Sequence, residues 1–382
     1  MTDYNRSHIW GTTGVGGVLM LAGMLFFPSN AIHADEESEF NQVGNIVIAD
    51  QFNNRVIEID PENHNVVWRF GNGSDKPGPH SIVGTNDAER VGELTLISGT
   101  GIPSTPVTMP PTPPLPGCSD PTSGCPDNRV ILVNREGEIV WQYGQNGGVA
   151  GSGPDQLNVP VAATMLPNFH ILITDQSNER IIEVTLKKDI VWQYGMTGTM
   201  GSGFNQLNNP NSAELLENGH ILIADENNNR AIEVDRDLNI IHTYSAGGTV
   251  SGVAFASRLE NGHTLLTDSN NSRIVEVDGD DEVVWQYFTN TDPSSNNKRP
   301  GGGPLPTRAV RLKNGDTLIS DQYNHRVIEV DKDKEIVRTF GKINMLGYNT
   351  DNVSDGGLNS PYDSKVIGDY SGLTPPFREH GR

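Results

Sequence analysis

Cysteine is almost missing from this chain of 382 residues: Cys118 and Cys125 are its only two. Two thiols cannot close a tetrahedral zinc site, and their separation by residues 119–124 is not the CxxC of a redox pair. Basic charge is scarce too, with 27 Lys and Arg against 48 Asp and Glu and a formal charge of −21. That deficit argues against a nucleic-acid partner and against docking on an anionic membrane. The acidic, Asn-rich loops leave calcium as the one ion to consider. No run has the ligand spacing of a calcium-binding helix–loop–helix, so no metal site and no cofactor are expected.

Long apolar runs are also lacking, with one exception. Arg6 precedes an uncharged stretch from Ile9 to Phe27, most apolar from Val15, and small residues follow at Ser29-Asn30-Ala31 and Ile32-His33-Ala34. This pattern marks residues 1–34 as a signal peptide. The alternative is an uncleaved anchor, since about 19 uncharged residues just span a bilayer. Both readings place the rest of the chain outside the cytoplasm, secreted or periplasmic, with no membrane insertion once the signal is removed. In such a compartment Cys118 and Cys125 are expected to form a local disulfide.

What the chain has in abundance is itself. NGHILIADENNNRAIEVD (218–235) returns with small changes at 261–278 and 314–331, and more loosely at 168–184 and 44–60. Each copy is followed by a second short segment: NVVWRFG, DIVWQYG, NIIHTYS, EVVWQYF or EIVRTFG. A sixth unit is split, GELTLISGTG (92–101) being parted from DNRVILVNREGEIVWQYG (from Asp127) by a proline-rich insertion at 100–126. Short strands repeating every ~40–50 residues indicate a propeller. The expected fold is therefore all-β, a six-bladed β-propeller over 35–375 with a short tail at 376–382.

Within a unit, the run ILIAD is the second strand, and alternation in Arg230–Asp235 marks the third, with Ile and Val on one face and Glu on the other. Asn-Gly at 218–219, 261–262 and 314–315 turns the hairpin before strand two. Strand one therefore lies upstream, as in PVAATML and PNSAELL. Unit one lacks a good strand one, whereas Leu358–Gly372 resembles one with nothing after it. The C-terminal segment is thus expected to close blade one as its innermost strand, removing the free edges of an open array.

The motif D-x-x-N-x-R stands at Asp50–Arg55, Asp175–Arg180 and Asp225–Arg230, and the connector YGxxGxxGSGxxQLNxP at 143–160 and 194–210. Together they resemble the NHL-repeat family of six-bladed propellers over roughly residues 44–370. That resemblance implies a monomeric propeller and a range of roles, from protein and glycan binding to a lyase. NGHxLxxD followed by IEVD and IVWQY is similar to repeats of arylsulfotransferase-like exported propellers, which implies a transferase working through a central histidine.

A residue present in every blade serves every blade, so the five Asp–Arg pairs (50/55, 175/180, 225/230, 268/273, 321/326) are expected to cap turns and bind across blade junctions. His170, His220 and His263 share one rim position, and Trp68, Trp141, Trp192 and Trp285 share another on strand four; His242 is the exception there. The residues that vary are better candidates. Aligned on its proline, strand one begins His80-Ser81, Val161-Ala162, Asn211-Ser212, Ala254-Phe255, Thr307-Arg308 and Tyr362-Asp363. His80, Arg308, Tyr362 and Asp363 would meet in the sector of blades six, one and two. There they could run acid–base chemistry, or Arg308 and Asp363 could form an ion pair closing the ring. Asn211, Ser212 and Phe255 would line the funnel as ligand contacts. The insertion and the connector at 290–306 should border the same mouth. The reading that follows is an exported scaffold for a protein or glycan ligand; the alternative is an arylsulfotransferase-like transferase or a hydrolase using the funnel.

Overall fold

The computed structural model describes residues 39–104, 117–120, 122–297, 303–354 and 356–369. The expected signal peptide and the tail at 376–382 lie outside them. Six four-stranded antiparallel sheets make six blades. From the inside outward, blade one is Pro361–Val366, Ile46–Asp50, Arg55–Ile59 and Val66–Phe70. Blade two is Thr85–Val91, Leu94–Ile102, Cys125–Val133 and Ile139–Tyr143. Blades three to six follow in the same order: Pro160–Met165 to Ile190–Tyr194, Pro210–Leu215 to Ile240–Tyr244, Val253–Arg258 to Val283–Phe288, and Arg308–Arg311 to Ile336–Gly341. Successive inner strands touch around a closed ring. Blade one is completed from the C-terminal end as expected, Ile46 lying opposite Val366 and Ala49 opposite Asp363. Among the described residues no helix is long and apolar enough to cross a membrane.

Among the described residues the core is not one mass: six clusters are wedged between neighbouring blades, and a small seventh joins Phe52, Val83, Ile102 and Cys125. Val47, Val56 and Phe70 of blade one meet Ile97 and Ile131 of blade two. Leu172 and Ile181 of blade three meet Ile223 and Ile232 of blade four. Because each blade has a neighbour on both sides, both faces of its middle strands are covered. The alternating Glu of strand three is buried too: Glu58, Glu183, Glu233, Glu276 and Glu329 are each less than 8% exposed. Burying a carboxylate is costly unless it is paired, and four of these bind a basic residue of the next blade, Arg90, Arg236, Arg258 or Arg311. His170, His220 and His263 add a second bond to Glu183, Glu233 and Glu276 through Nδ1 at 2.6, 2.6 and 2.7 Å.

The four strand-four tryptophans also work between blades. Each Nε1 donates to a turn carbonyl of the next blade: Trp68 to Arg135, Trp141 to Leu186, Trp192 to Arg236 and Trp285 to Lys332. The glycine closing the YG and FG endings has its own cause. Gly71, Gly144 and Gly195 sit at φ near +100°, where an added Cβ would meet the backbone oxygen of residue 54, 128 or 179 at 2.2–2.4 Å, so only glycine fits.

The repeated Asp–Arg pair is a clamp. Arg Nε lies 2.5–2.8 Å from the carboxylate of the Asp five residues before it in all five copies. The Asp makes no cap bond to the backbone of its own turn, but its carboxylate accepts the side-chain amide of the Asn three residues on, in all five copies. In four of the five copies its second oxygen accepts the backbone N–H of the connector entering the same blade, at Asn158, Asn208, Ser251 and Asn359, whereas among the described residues Asp321 Oδ1 is buried without a partner. Blade two has a sixth clamp that the repeat pattern hides. Gly99 stands at the Asp position, and the carboxylate of Asp127 fills the space its side chain would take, 2.7 Å from an added Cβ. Asp127 then binds Arg129 Nε at 2.5 Å and accepts the N–H of Val83 at 2.7 Å.

Candidate functional site

On the connector face the funnel narrows to a cavity of about 180 Å³. Two rings of residues build it. One is the first residue of the turn that follows strand two, contributed by four blades: Gln51, Glu226, Ser269 and Gln322. The other is the second residue of strand one or the one just before it, seen as Ala254, Thr307 and Tyr362. Phe52 and Tyr323 add aromatic faces, their rings 6.4 Å apart and tilted. Pro103 from the insertion and Leu305 from the long connector complete the rim, so both irregular loops do border the mouth. The return end of the insertion is held down by the Cys118–Cys125 disulfide, S–S 2.04 Å, and by the bond from Asn54 Nδ2 to the carbonyl of Gly117.

The lining is set by a directed chain of amides. Gln322 Nε2 donates to Gln51 Oε1, and Gln51 Nε2 donates to Asn86 Oδ1, both at 2.8 Å. On the opposite wall Glu226 Oε2 accepts Asn209 and Asn211 at 3.0 and 2.8 Å. Asn211 also lies 3.0 Å from the Tyr362 hydroxyl. Burial pushes the Glu226 carboxyl above its ordinary range, and the two amide donors recover only part of that. Burial likewise raises the Tyr362 phenol.

Deeper along the axis lies a charged cluster. Arg308 Nη2 donates to Asp87 at 2.7 Å, and its Nε stands 2.6 Å from Asp363 Oδ1 as an ion pair outside hydrogen-bond geometry. Lys365 Nζ reaches Asp87 at 2.7 Å, Asp363 at 2.8 Å and the carbonyl of Ala88 at 2.9 Å. Burial works against the Asp87 charge, but Lys365 and Arg308 outweigh it and hold the carboxyl down to about 2. The acids of this ring also satisfy the open edges of the inner strands. Asp363 accepts the N–H of Ala88, Asp87 that of Ala163, Glu89 that of Met165 and Glu214 that of Arg258. Glu89 and Glu214 have less help from cations, and burial pushes each up to about 8.

The expected sector is thus partly right in its members and displaced in its place. Arg308 and Asp363 meet as foreseen. Tyr362 instead faces across the funnel to Asn211, and His80 takes no part: it is exposed, with Nδ1 3.3 Å from the carbonyl of Gly137. Blade two has Thr85 where blades one, three and four have proline, so Asn86-Asp87 and not His80-Ser81 hold its strand-one position. Of the expected ligand contacts, Asn211 backs the cavity wall. Ser212 accepts the N–H of Ala256, and the Phe255 ring lies 4.1 Å beneath the Arg308 guanidinium. Among the described residues no cluster of His, Cys, Asp and Glu is arranged to hold a metal ion.

No family model and no curated protein matches the chain. Solved structures do. One is a protein of unknown function from Bacteroides caccae, at 14% identity and TM-score 0.52, covering 79% of this chain and 97% of that one. Another is virginiamycin B lyase from Staphylococcus aureus, at 12% identity and TM-score 0.45, covering 78% and 84%. A third is the dihydro-heme d1 dehydrogenase NirN, at 10% identity and TM-score 0.43, covering 85% and 76%. At such identities the likeness is one of fold, and the chain stands among β-propellers.

Proposed function

We propose that the protein is an exported, NHL-like β-propeller scaffold that binds a glycan at the mouth of its funnel. The observation that carries this is the composition of the cavity wall. It offers amide and hydroxyl hydrogen-bonding groups at Gln322, Ser269 and Tyr362, with aromatic faces at Phe52 and Tyr323 against which a sugar ring can lie. The disulfide fits an oxidising compartment, and the uncharged N-terminal stretch fits export. An arylsulfotransferase-like or hydrolytic activity would need an activated nucleophile. Among the described residues lining the cavity there is no histidine, and the Thr307 hydroxyl is spent on the carbonyl of Tyr362 at 2.6 Å.

Titration calorimetry of the purified protein against a panel of neutral and charged oligosaccharides tests the reading. Saturable one-to-one binding is expected, weakened about tenfold in Gln322→Ala through loss of a buried polar contact. Binding of unglycosylated peptides alone, or turnover of an aryl sulfate or ester, would overturn it.

A further inference from the structure

The turn residue that follows the clamp Asp is Gln in blades one, three and six (Gln51, Gln176, Gln322) and Ser in blade five (Ser269). Only in blade four is it an acid, Glu226. Elsewhere around the funnel buried acids are matched by cations or backbone donors. Asp87 and Asp363 share Arg308 and Lys365, and the clamp Asp of each blade has its Arg. Glu226 has neither. Its neighbour Arg230 is committed to Asp225, and its own bonds come from two neutral amides, both to Oε2. Among the described residues Glu226 Oε1 takes no hydrogen bond, and the same holds for Gln322 Oε1, because the amide chain turns each donor into the wall. Among the described residues no Lys or Arg lines the cavity. It therefore presents a carboxylate, an amide oxygen and aromatic faces, a surface short of donors and of positive charge.

A protonated amine complements each part of that surface. It supplies three donors, a charge to offset a buried carboxylate, and attraction to aromatic faces. We infer that the glycan unit seated in the funnel is an amino sugar with a free ammonium group, which pairs with Glu226 Oε1. This rests on the glycan reading above and narrows it. A cavity of about 180 Å³ suits one sugar ring, with the rest of an oligomer running out past Pro103 and Leu305. Raised by burial, the Glu226 carboxyl would lose its charge sooner than an exposed glutamate as pH falls, so binding should weaken on mild acidification.

The test is calorimetry at neutral pH with three probes: a glucosamine oligomer, the same oligomer fully N-acetylated, and a lysine-bearing peptide. The glucosamine oligomer is expected to bind about tenfold or more tightly than its acetylated form, the size of one charge-assisted contact. In Glu226→Gln this preference should fall to about unity. Gln already occupies this turn position in three other blades, so the variant is expected to fold, and its circular dichroism checks that. Equal binding of both oligomers would overturn the ammonium inference and leave the glycan reading standing. Binding of the peptide alone would overturn both, as would a folded protein that binds none of the three. A preference that survives in Glu226→Gln would move the ammonium away from this carboxylate and refute the assignment.

Discussion

The funnel has two acidic walls, and they behave oppositely. On the side of blades six, one and two, Asp87 and Asp363 are buried against Arg308 and Lys365. On the side of blade four, Glu226 is backed only by Asn209 and Asn211. Burial opposes the charge on both sides. The cations override it for Asp87, though not for its neighbour Asp363, whereas no cation is there to override it for Glu226. Asp87 is thus a deeply buried charge held by counterions, whereas Glu226, less deeply buried and without one, is the charge that the proposed ligand would match.

The sharpest way to break the first wall is to remove its strand. Truncation after Gly357 deletes Pro361–Val366, and with it Asp363, Lys365 and the pairing that covers the Ile46–Asp50 edge. A ring with one open blade loses its inter-blade cores on both sides of the gap, so no cooperative thermal transition is expected by calorimetry. A truncated protein that melts like the parent would show that closure is dispensable. Next in size is Arg308→Ala, which leaves two buried carboxylates sharing a single lysine. It should cost about 3–5 kcal/mol, the usual consequence of removing one partner of a buried ion pair. Chemical denaturation measures it. Glu226→Gln, in contrast, should change stability by less than about 1 kcal/mol, as expected away from paired charges.

The contrast between the walls also explains what the sequence disclosed. Repetition made the fold legible: Asn218-Gly219 and its counterparts fixed the hairpins, and an orphan strand-one sequence at the C-terminal end announced the closure. The same repetition hid the site. Asp87 was missed because Thr85 replaces the proline on which strand one was aligned, shifting the reading of blade two by six residues, from His80-Ser81 to Asn86-Asp87. Asp127 was missed because it reaches the clamp from strand three, into a space that only Gly99 leaves open. Glu226 lies at a variable position of the motif D-x-x-N-x-R, whose repeated Asp and Arg masked the difference between blades at the residue after the Asp. The signal was present all the same, as a single acid where three blades have Gln and one has Ser.

Titration separates a third kind of acid from the first two. Glu214 is buried at the axis, and its carboxyl is pushed up to about 8 from an ordinary 4.5. The folded chain keeps this proton across a pH range in which the unfolded chain has released it. Between those two values, rising pH therefore favours unfolding. Glu214→Gln keeps an acceptor for the N–H of Arg258 and has no proton to lose. Its melting temperature should match that of the parent near pH 5 and exceed it near pH 8 by about 2 °C or more. A gap that does not widen with pH would mean the carboxyl is charged in the fold. The rim glutamates have the opposite sign. Burial would raise Glu183, Glu233 and Glu276, but bonds from the paired His and Arg bring them below their ordinary value. Their contribution is complete above pH 4.5 and is lost as pH falls further.

Another small effect is expected where blade four meets blade five. Four blades bridge outward through a tryptophan Nε1, whereas the His242 ring of blade four lies tilted against Tyr244, centroids 4.2 Å apart, and leaves its Nε2 buried without a partner. In those four blades the accepting carbonyl follows the asparagine, threonine or aspartate that opens the next turn, as with Arg236 after Asp235 and Lys332 after Asp331; blade six has Arg338 at the tryptophan position. By that register the unused acceptor beside His242 belongs to Gly279, after Asp278. His242→Trp should restore the bridge and relieve the stranded nitrogen together, stabilising the fold by about 1 kcal/mol. The same change with Gly279 replaced by Pro, which distorts the turn carbonyl, should lose the gain. If His242→Trp is neutral while Trp285→Phe is destabilising, the blade four–five junction is held differently from the four that a tryptophan bridges.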